Sequence, residues 1–412
     1  MIADIVCLNA PNNTVVESSM LDHLDFDSVT ESDIKQLIEN SVPEGHRLDF
    51  KREIYGSEPA EKREFLKDIS ALANTSGGHL IIGMDEEEGV ATSIYPQKVD
   101  PDEEVLRMNN LARDGISPPI QGLLIRAVKV DEGHCFFVRV PESWNAPHKV
   151  IHKGDHRFYA RNSSGVDYLS TESIRTLVTR GAELQTLIES FVENRIEKIR
   201  KNHGPATLSD KRGKLSVHLV PLRSFSKPAE TIDMRSAHTD CKSLRTLEGV
   251  CFTGRFNIDG YLGSERHGTL GDSYIQLYRS GVMESVENGF VQTLKDQGYV
   301  AAHHIEERVL GSLLPWMHIL SRLNINPPHL VFVTLQEVHG AKLAISESML
   351  DNNRSDPFDR PVLALPTTFF ESIPDRDELH RLMRPAFDAL WNASGRAFAW
   401  SFDDNDVWSG GV

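Results

Sequence analysis

Cysteine is scarce in this sequence. Four thiols, Cys7, Cys135, Cys241 and Cys251, are spread through 412 residues, and no C-x-x-C pair occurs. Structural zinc needs clustered soft ligands, so no zinc is expected, and so low a thiol count suits a reducing, cytoplasmic setting. Long apolar runs are missing as well. No stretch reaches the ~18 residues that a bilayer span requires, so no membrane partner is expected. The opening MIADIVCLNAPNN has neither a basic start nor an apolar centre and does not read as a signal peptide. Positive charge is in deficit, with 44 Lys+Arg against 60 Asp+Glu and a net charge of −16. That argues against a protein that coats nucleic acid indiscriminately, but it leaves room for a local basic groove. No G-x4-G-K-[ST], G-x-S-x-G or H-E-x-x-H motif occurs. The P-loop, the nucleophile elbow and the helical zinc-protease site are thereby excluded.

What remains is an ordinary globular composition, 40% hydrophobic and 25% charged, over a length that suits two or three domains. Residues 1–30 read as an acidic arm with one edge strand at Thr14–Glu17. Helices are expected at 31–40, where Ile34, Leu37 and Ile38 share a face, at Pro59–Thr75, where Phe65, Ile69 and Leu72 follow the helical period, and at 103–114. Strands are expected at 47–52, 79–84, 123–130 and 135–140, with a further pair at 150–151 and 157–160. Asp85–Gly89 reads as an acidic turn, and Ser173–Thr179 as a short helix closing the first domain near 180. A connector helix is expected within 181–204, followed by a linker. The segment 205–412 reads as a second α+β domain: strands at 215–222, 251–258, 273–281, 282–287, 329–338 and 362–370, with helices at 303–323, kinked at Pro315, and 377–393. The fold class is therefore α+β, a mixed-sheet domain at 31–180 and a second α+β domain of unknown role.

The chemistry concentrates between Glu44 and Glu88. On a strand at 47–52, Asp49 and Lys51 point to one face, read as exposed, while Leu48 and Phe50 point to the core. If strand 79–84 lies alongside, Asp85 and Glu86 approach Glu44 and Asp49. Hard divalent cations prefer such carboxylate oxygens, so Mg²⁺ or Mn²⁺ is the expected cofactor of this cluster, with Lys51 holding a phosphate. The competing reading is a set of solvated surface pairs and an acidic turn. A second patch, His148 to Arg161, holds Lys149, His152, Lys153, His156, Arg157 and Arg161 around Phe158 and Tyr159. Alternation puts Arg157, Tyr159 and Arg161 on one face, where they could meet phosphates and unpaired bases. Arg63 and Lys67 on the neighbouring helix extend the candidate nucleic-acid surface beside Lys51, Lys149 and Lys153. In NTSGG (74–78), Gly77 reads as a helix stop, while Asn74, Thr75 and Ser76 stay open as phosphate contacts.

Several of these pieces together resemble one family. E-x4-D-F-K (Glu44, Asp49, Phe50, Lys51), A-N-T-S-G-G (73–78), I-I-G-M-D (81–85), D-G-I-S-P-P (114–119) and R-F-Y-A-R-N-S-S (157–164) occur in the order found in the AlbA-like domain of Schlafen proteins and their bacterial relatives. The resemblance covers about 31–180. It implies nucleic-acid or nucleotide binding, often in a transcriptional regulator. It also implies that some relatives are metal-dependent endoribonucleases acting on tRNA and rRNA, which in a bacterial setting would suit a toxin or defence role. Their triad is two Glu and one Asp, the first two five residues apart, as Glu44 and Asp49 are. Here Asp49 stands where Glu is usual, and the third position falls on either Asp85 or Glu86. The zinc-binding set and the helicase half of animal Schlafens have no counterpart. The expectation is a Schlafen-like binder of structured RNA in preference to DNA, cutting it if the carboxylates hold metal. The alternatives are a non-catalytic DNA-binding regulator, in which 205–412 would serve as sensor or homodimer interface, and, ranked lower for want of a Walker lysine, an ATP- or nucleotide-binding signalling protein.

Overall fold

The computed structural model describes Leu21 and residues 26–162, 165–225, 231–265, 270–344, 355–403 and 406–410. The chain divides into two compact units, Met1–Glu183 and Leu184–Val412. The edge strand expected at Thr14–Glu17 lies outside the described residues.

The first unit runs α1 (Glu31–Glu39), β1 (Leu48–Lys51), α2 (Pro59–Ala73), β2 (Gly78–Ile82), β3 (Met84–Glu87), β4 (Val90–Ile94), α3 (Pro101–Gly115), β5 (Ile116–Ser117), β6 (Leu124–Val130), β7 (Gly133–Val140), β8 (Lys149–Val150), β9 (Arg157–Asn162) and β10 (Gly165–Tyr168), and then enters α4 (Thr171–Arg200). Its central sheet has the order β1-β2-β7-β6, with β1 and β2 parallel and the other pairs antiparallel. A second sheet has the order β10-β9-β8-β5, and β3 and β4 form a separate pair.

Period-two alternation along the central strands builds two cores. Leu80, Ile82, Phe136 and Val138 pack with Phe65, Leu66, Ile69 and Leu72 of α2 and Met108 of α3. Leu48, Phe50, Ile81, Cys135 and Phe137 pack on the opposite face with Ile34 and Leu37 of α1. The sheet is thus covered on both sides. Each large side chain it buries contributes about 1.5–3 kcal/mol. Local signals set the helix ends: the Asp100 side chain caps α3 by accepting from the Asp102 and Glu103 N–H groups.

Three boundaries differ from the sequence reading. The run 79–84 breaks at Gly83 (φ +98°), so the acidic residues that follow start a strand rather than a turn. The turn falls instead on Glu88 and Gly89, both at positive φ. The helices expected at 173–179 and within 181–204 are one helix, α4, which continues through Gly181.

The second unit is built on an eight-stranded sheet in the order Thr253–Phe256, Gly260–Ser264, Ser273–Tyr278, Met283–Asn288, Lys214–Pro221, His329–Gln336, Val362–Ala364, with Thr368–Phe370 also pairing the His329–Gln336 strand. The run 362–370, read as one strand, is therefore two, separated at Pro366, which cannot donate to a ladder. One sheet face carries Leu215, Val217, Val331 and Val333 against Ile305, Val309, Leu313 and Trp316 of α5 (Ala302–Arg322) and Met383 and Phe387 of α6 (Arg376–Asn392). Within this unit the buried Glu284 carboxylate accepts from Arg195 Nε (2.7 Å), Arg195 Nη2 (2.9 Å) and the Tyr274 hydroxyl (2.8 Å). That network ties the end of α4 to the sheet.

Candidate nucleic-acid interface

The strand register decides where the expected catalytic residues lie. Asp49 pairs with Leu80 and Lys51 with Ile82, and Leu80 and Ile82 face α2. Asp49 and Lys51 therefore face α2 too. Asp49 is 3% exposed. The exposed sheet face expected for this pair does not exist, because α2 covers it, and a charged pair can stay there only if each charge has partners.

Those partners come from three elements. Arg161 on β9 donates from Nη2 to Asp49 Oδ1 (2.9 Å) and to the Leu48 carbonyl (3.2 Å), and from Nε to the Gly45 carbonyl (2.7 Å). Lys51 Nζ lies 2.6 Å from Asp49 Oδ2 and 3.8 Å from Asp68 Oδ2 on α2. The Tyr55 hydroxyl donates to the same Asp68 oxygen at 2.7 Å. Glu44 accepts the Phe50 N–H at 2.6 Å, and its carboxyl lies near enough to that of Asp49 for the two to influence each other's titration.

The titration of this cluster follows from its geometry. Burial, with the Asp49 charge adding to it, pushes Glu44 up to about 7 against the opposing Phe50 N–H. Burial would raise Asp49 also, but Lys51 and Arg161 outweigh it and hold the carboxyl below its ordinary value. Burial raises Asp68, and burial with the adjacent Asp68 keeps the Tyr55 hydroxyl protonated. Asp68 and Tyr55 were missed from the sequence. The available signal was an acid at position 68 on the apolar stripe of α2, three residues after Phe65.

Asp85 and Glu86 sit on β3. Asp85 lies 3.5 Å from Arg52, and the exposed Glu86 carboxylate accepts the Gly89 N–H at 2.5 Å. Among the described residues no three His, Cys, Asp or Glu side chains form a group able to hold a metal ion. The donor set expected for Mg²⁺ or Mn²⁺ does not fit one in this arrangement: each Asp49 oxygen is already held by a cation, and Asp85 faces Arg52.

The basic residues divide into buried and available ones. Arg161 is 8% exposed and Tyr159 5%, so neither lies on an open groove. The Tyr159 hydroxyl donates to Asp155 at 2.8 Å. The physical reason is that β9 turns Tyr159 and Arg161 inward, while Arg157 at its start stays exposed and Phe158, expected in the core, is half-buried. Lys67 pairs with Glu64 on its own helix. His148 is buried with Nδ1 2.7 Å from the Pro118 carbonyl. By contrast, Arg63 and Lys153 are exposed, and Lys62 and Lys149 half-exposed. Lys62, Arg63 and Lys153 have no ion-pair partner among the described residues. All three lie close enough to His152 to lower its pKa, after the effect of burial. Arg157 sits over the ring of exposed Tyr168 (4.7 Å), its guanidinium also 3.9 Å from Asp155. Tyr168, which sequence reasoning passed over, is the exposed aromatic on this sheet, paired across from Tyr159.

The NTSGG loop is a clasp. The Asn74 side chain donates to the carbonyls of His148 (2.9 Å) and Tyr159 (2.8 Å) and accepts the His148 N–H (2.6 Å). Thr75 Oγ1 accepts the Arg161 N–H at 2.9 Å. Gly77, at φ +64°, donates its N–H to the Leu72 carbonyl (2.9 Å), as a helix stop does. Gly78 is required by close approach, since a Cβ there would collide with the Arg47 backbone.

The motifs at Glu44–Lys51, Ala73–Gly78 and Arg157–Arg161 thus converge on one charged and hydrogen-bonded tie between the two sheets. The family model Schlafen, AlbA_2 matches residues 44–170, the segment that contains this tie. Two solved structures show likeness at low identity. The DIP2311 protein of Corynebacterium diphtheriae is 19% identical with a TM-score of 0.24, over 34% of this chain and 27% of its own. The N-terminal domain of a RecG-related protein from Nitrosomonas europaea is also 19% identical with a TM-score of 0.24, over 31% of this chain and 82% of its own. The chain thus spans about a quarter of the DIP2311 protein's length. No curated protein matches. Motif order, residue span and the convergence of those motifs in space agree: the segment 44–170 of this chain is a Schlafen AlbA_2 domain.

Proposed function

We propose that the Schlafen AlbA_2 domain binds nucleic acid by its phosphate backbone, through Lys62, Arg63 and Lys153 around His152, with Lys149 beside them on β8. The observation that carries this reading is a set of neighbouring cations without acidic partners in a chain of net charge −16. Cations gathered in one place without acidic partners raise the local positive potential and favour an anionic ligand. Tyr168, with Arg157 over its ring, offers a stacking platform for an unpaired base, which favours RNA with exposed loops over regular duplex. The Glu44–Asp49–Lys51–Arg161 cluster then acts as structure and makes no contact with the ligand. The test is a mobility-shift titration with total tRNA and with duplex DNA. The combined variant Lys62→Glu, Arg63→Glu, Lys153→Glu should lose most affinity for both, while Tyr168→Ala should weaken tRNA more than duplex.

A second reading, metal-dependent cleavage of tRNA-like RNA, would require Asp49 and Asp85 to leave Lys51, Arg161 and Arg52, and draws on one observation: the Glu44 carboxyl titrates near 7 beside a second carboxylate. Such poised acids gather at catalytic sites. Incubating tRNA with Mn²⁺ or Mg²⁺, wild type beside Glu44→Gln, tests it. Discrete fragments from wild type alone would replace the binding-only reading.

A further inference from the structure

The second unit contains a cleft of about 360 Å³ between α5 and α6. Its apolar wall is Leu310, Leu314 and Pro315 from α5, Leu379 from α6, and Trp408. The wall is fixed in place. Trp408 Nε1 donates to the buried Glu306 carboxylate at 2.9 Å, and that carboxylate also accepts from Trp391 Nε1 at 2.8 Å. An aromatic face locked by a buried hydrogen bond loses little freedom when a ligand packs on it.

The polar groups of the cleft are few and of one character. Arg376, at the start of α6, is exposed and has no acidic partner among the described residues. His380, one turn further along α6, is 3% exposed yet lines the cleft. Its Nδ1 accepts the Trp408 backbone N–H at 3.2 Å, which places the ring proton on Nε2. Nε2 has no protein partner among the described residues. Burial and the neighbouring Arg376 both lower the His380 pKa, so the ring serves as a neutral donor. The cleft therefore joins an apolar floor to one guanidinium without an acidic partner among the described residues and one N–H donor on a largely buried ring. The Glu307 carboxylate, the acidic group of the lining, sits on α5.

We propose that this cleft binds a small amphiphilic carboxylate, its aryl or short alkyl body on Leu314, Pro315 and Trp408 and its carboxylate on Arg376 and His380 Nε2. Arg–carboxylate pairs favour a two-point contact, and a cleft of this volume has room for a ligand of about ten to fifteen heavy atoms. The proposal is independent of the nucleic-acid reading of the first unit. It would make the second unit a small-molecule sensor.

The test uses the full chain and two probes, 4-phenylbutyrate and octanoate, each beside its neutral alcohol, by isothermal titration calorimetry. Two variants locate the site. Gly311 lines the cleft, and a Cβ added there meets nothing within 4 Å, so Gly311→Leu begins its side chain in open space at the cleft and improves helix propensity. Arg376→Glu reverses the exposed charge. The expected result is one-to-one binding of at least one acid, at least tenfold weaker for its alcohol and for Arg376→Glu, and lost in Gly311→Leu with the thermal midpoint retained or raised. Absence of saturable binding by either acid would overturn the proposal. So would equal affinity for acid and alcohol, or unchanged binding by the two variants.

Discussion

Replacing Glu44 with Gln should stabilise the 44–170 domain at pH 8 and leave it nearly unchanged at pH 5. In the folded chain the Glu44 carboxyl titrates near 7 where its ordinary value is 4.5, chiefly because it is buried. Folding therefore favours the protonated acid. The stability this group contributes is complete below about pH 4.5 and is lost as pH rises through 7. Full burial with such a shift would be worth about 3 kcal/mol across that window. The carboxyl is only half-buried and water screens it, so about 1–2 kcal/mol is the working figure. Gln has the shape of the protonated acid. Its oxygen can still accept the Phe50 N–H, and its amide can donate to Asp49, whose own charge is held by Lys51 and Arg161. The variant should thus resemble the low-pH wild type at every pH. Hydrogen exchange of peptides covering 44–52, corrected for intrinsic rates, reads the difference in the intact chain. A variant less stable than wild type at pH 8, or a difference that does not change between pH 5 and pH 8, would refute the assignment of a Glu44 carboxyl that takes up its proton on folding.

Other consequences follow from the same tie. Arg161→Ala should cost about 1–3 kcal/mol in denaturant unfolding, because it leaves Lys51 as the remaining cation on the buried Asp49 carboxylate and removes the donor to the Gly45 carbonyl. Adding Asp49→Asn should recover part of that loss, whereas Arg157→Ala should stay within about 0.5 kcal/mol of wild type. Gly78→Ala should destabilise the domain enough to lower the yield of folded protein, because its φ of +141° and the Arg47 backbone leave no room for a Cβ. Cys135, whose thiol burial pushes up to about 12, should stay unreactive to a thiol reagent until the chain is unfolded.

The parts of this fold legible in the sequence were those set by local chemistry. The apolar stripe of α2 and the Gly77 stop fixed that helix, and period-two runs fixed β2, β6 and β7. Motif order identified the domain before any geometry was available. What stayed hidden depended on partners far apart in sequence. L-D-F-K alternates as a half-exposed strand does, and nothing local says that α2 covers its charged face or that Arg161 arrives from over a hundred residues away. The same omission placed Tyr159 and Arg161 in a groove when they face inward. It also left out Tyr168, which is exposed at the end of the edge strand β10. The placement of the third carboxylate stayed hidden for a different reason: Gly83 redirects the chain, so Asp85 follows a new strand toward Arg52.

In the proposed function, exposed cations of the Schlafen AlbA_2 domain, rather than a metal held by its carboxylates, bind nucleic acid. Fluorescence anisotropy of labelled tRNA in EDTA, from 50 to 300 mM KCl, tests it most directly. Three to four phosphate contacts give an expected slope of log affinity against log salt of about −2 to −4. That slope should survive EDTA, persist in Glu44→Gln, and collapse toward zero in the combined Lys62, Arg63 and Lys153 charge reversal. Binding that requires Mg²⁺ or Mn²⁺ and disappears in Glu44→Gln, while the charge-reversal variant binds as wild type does, would contradict it.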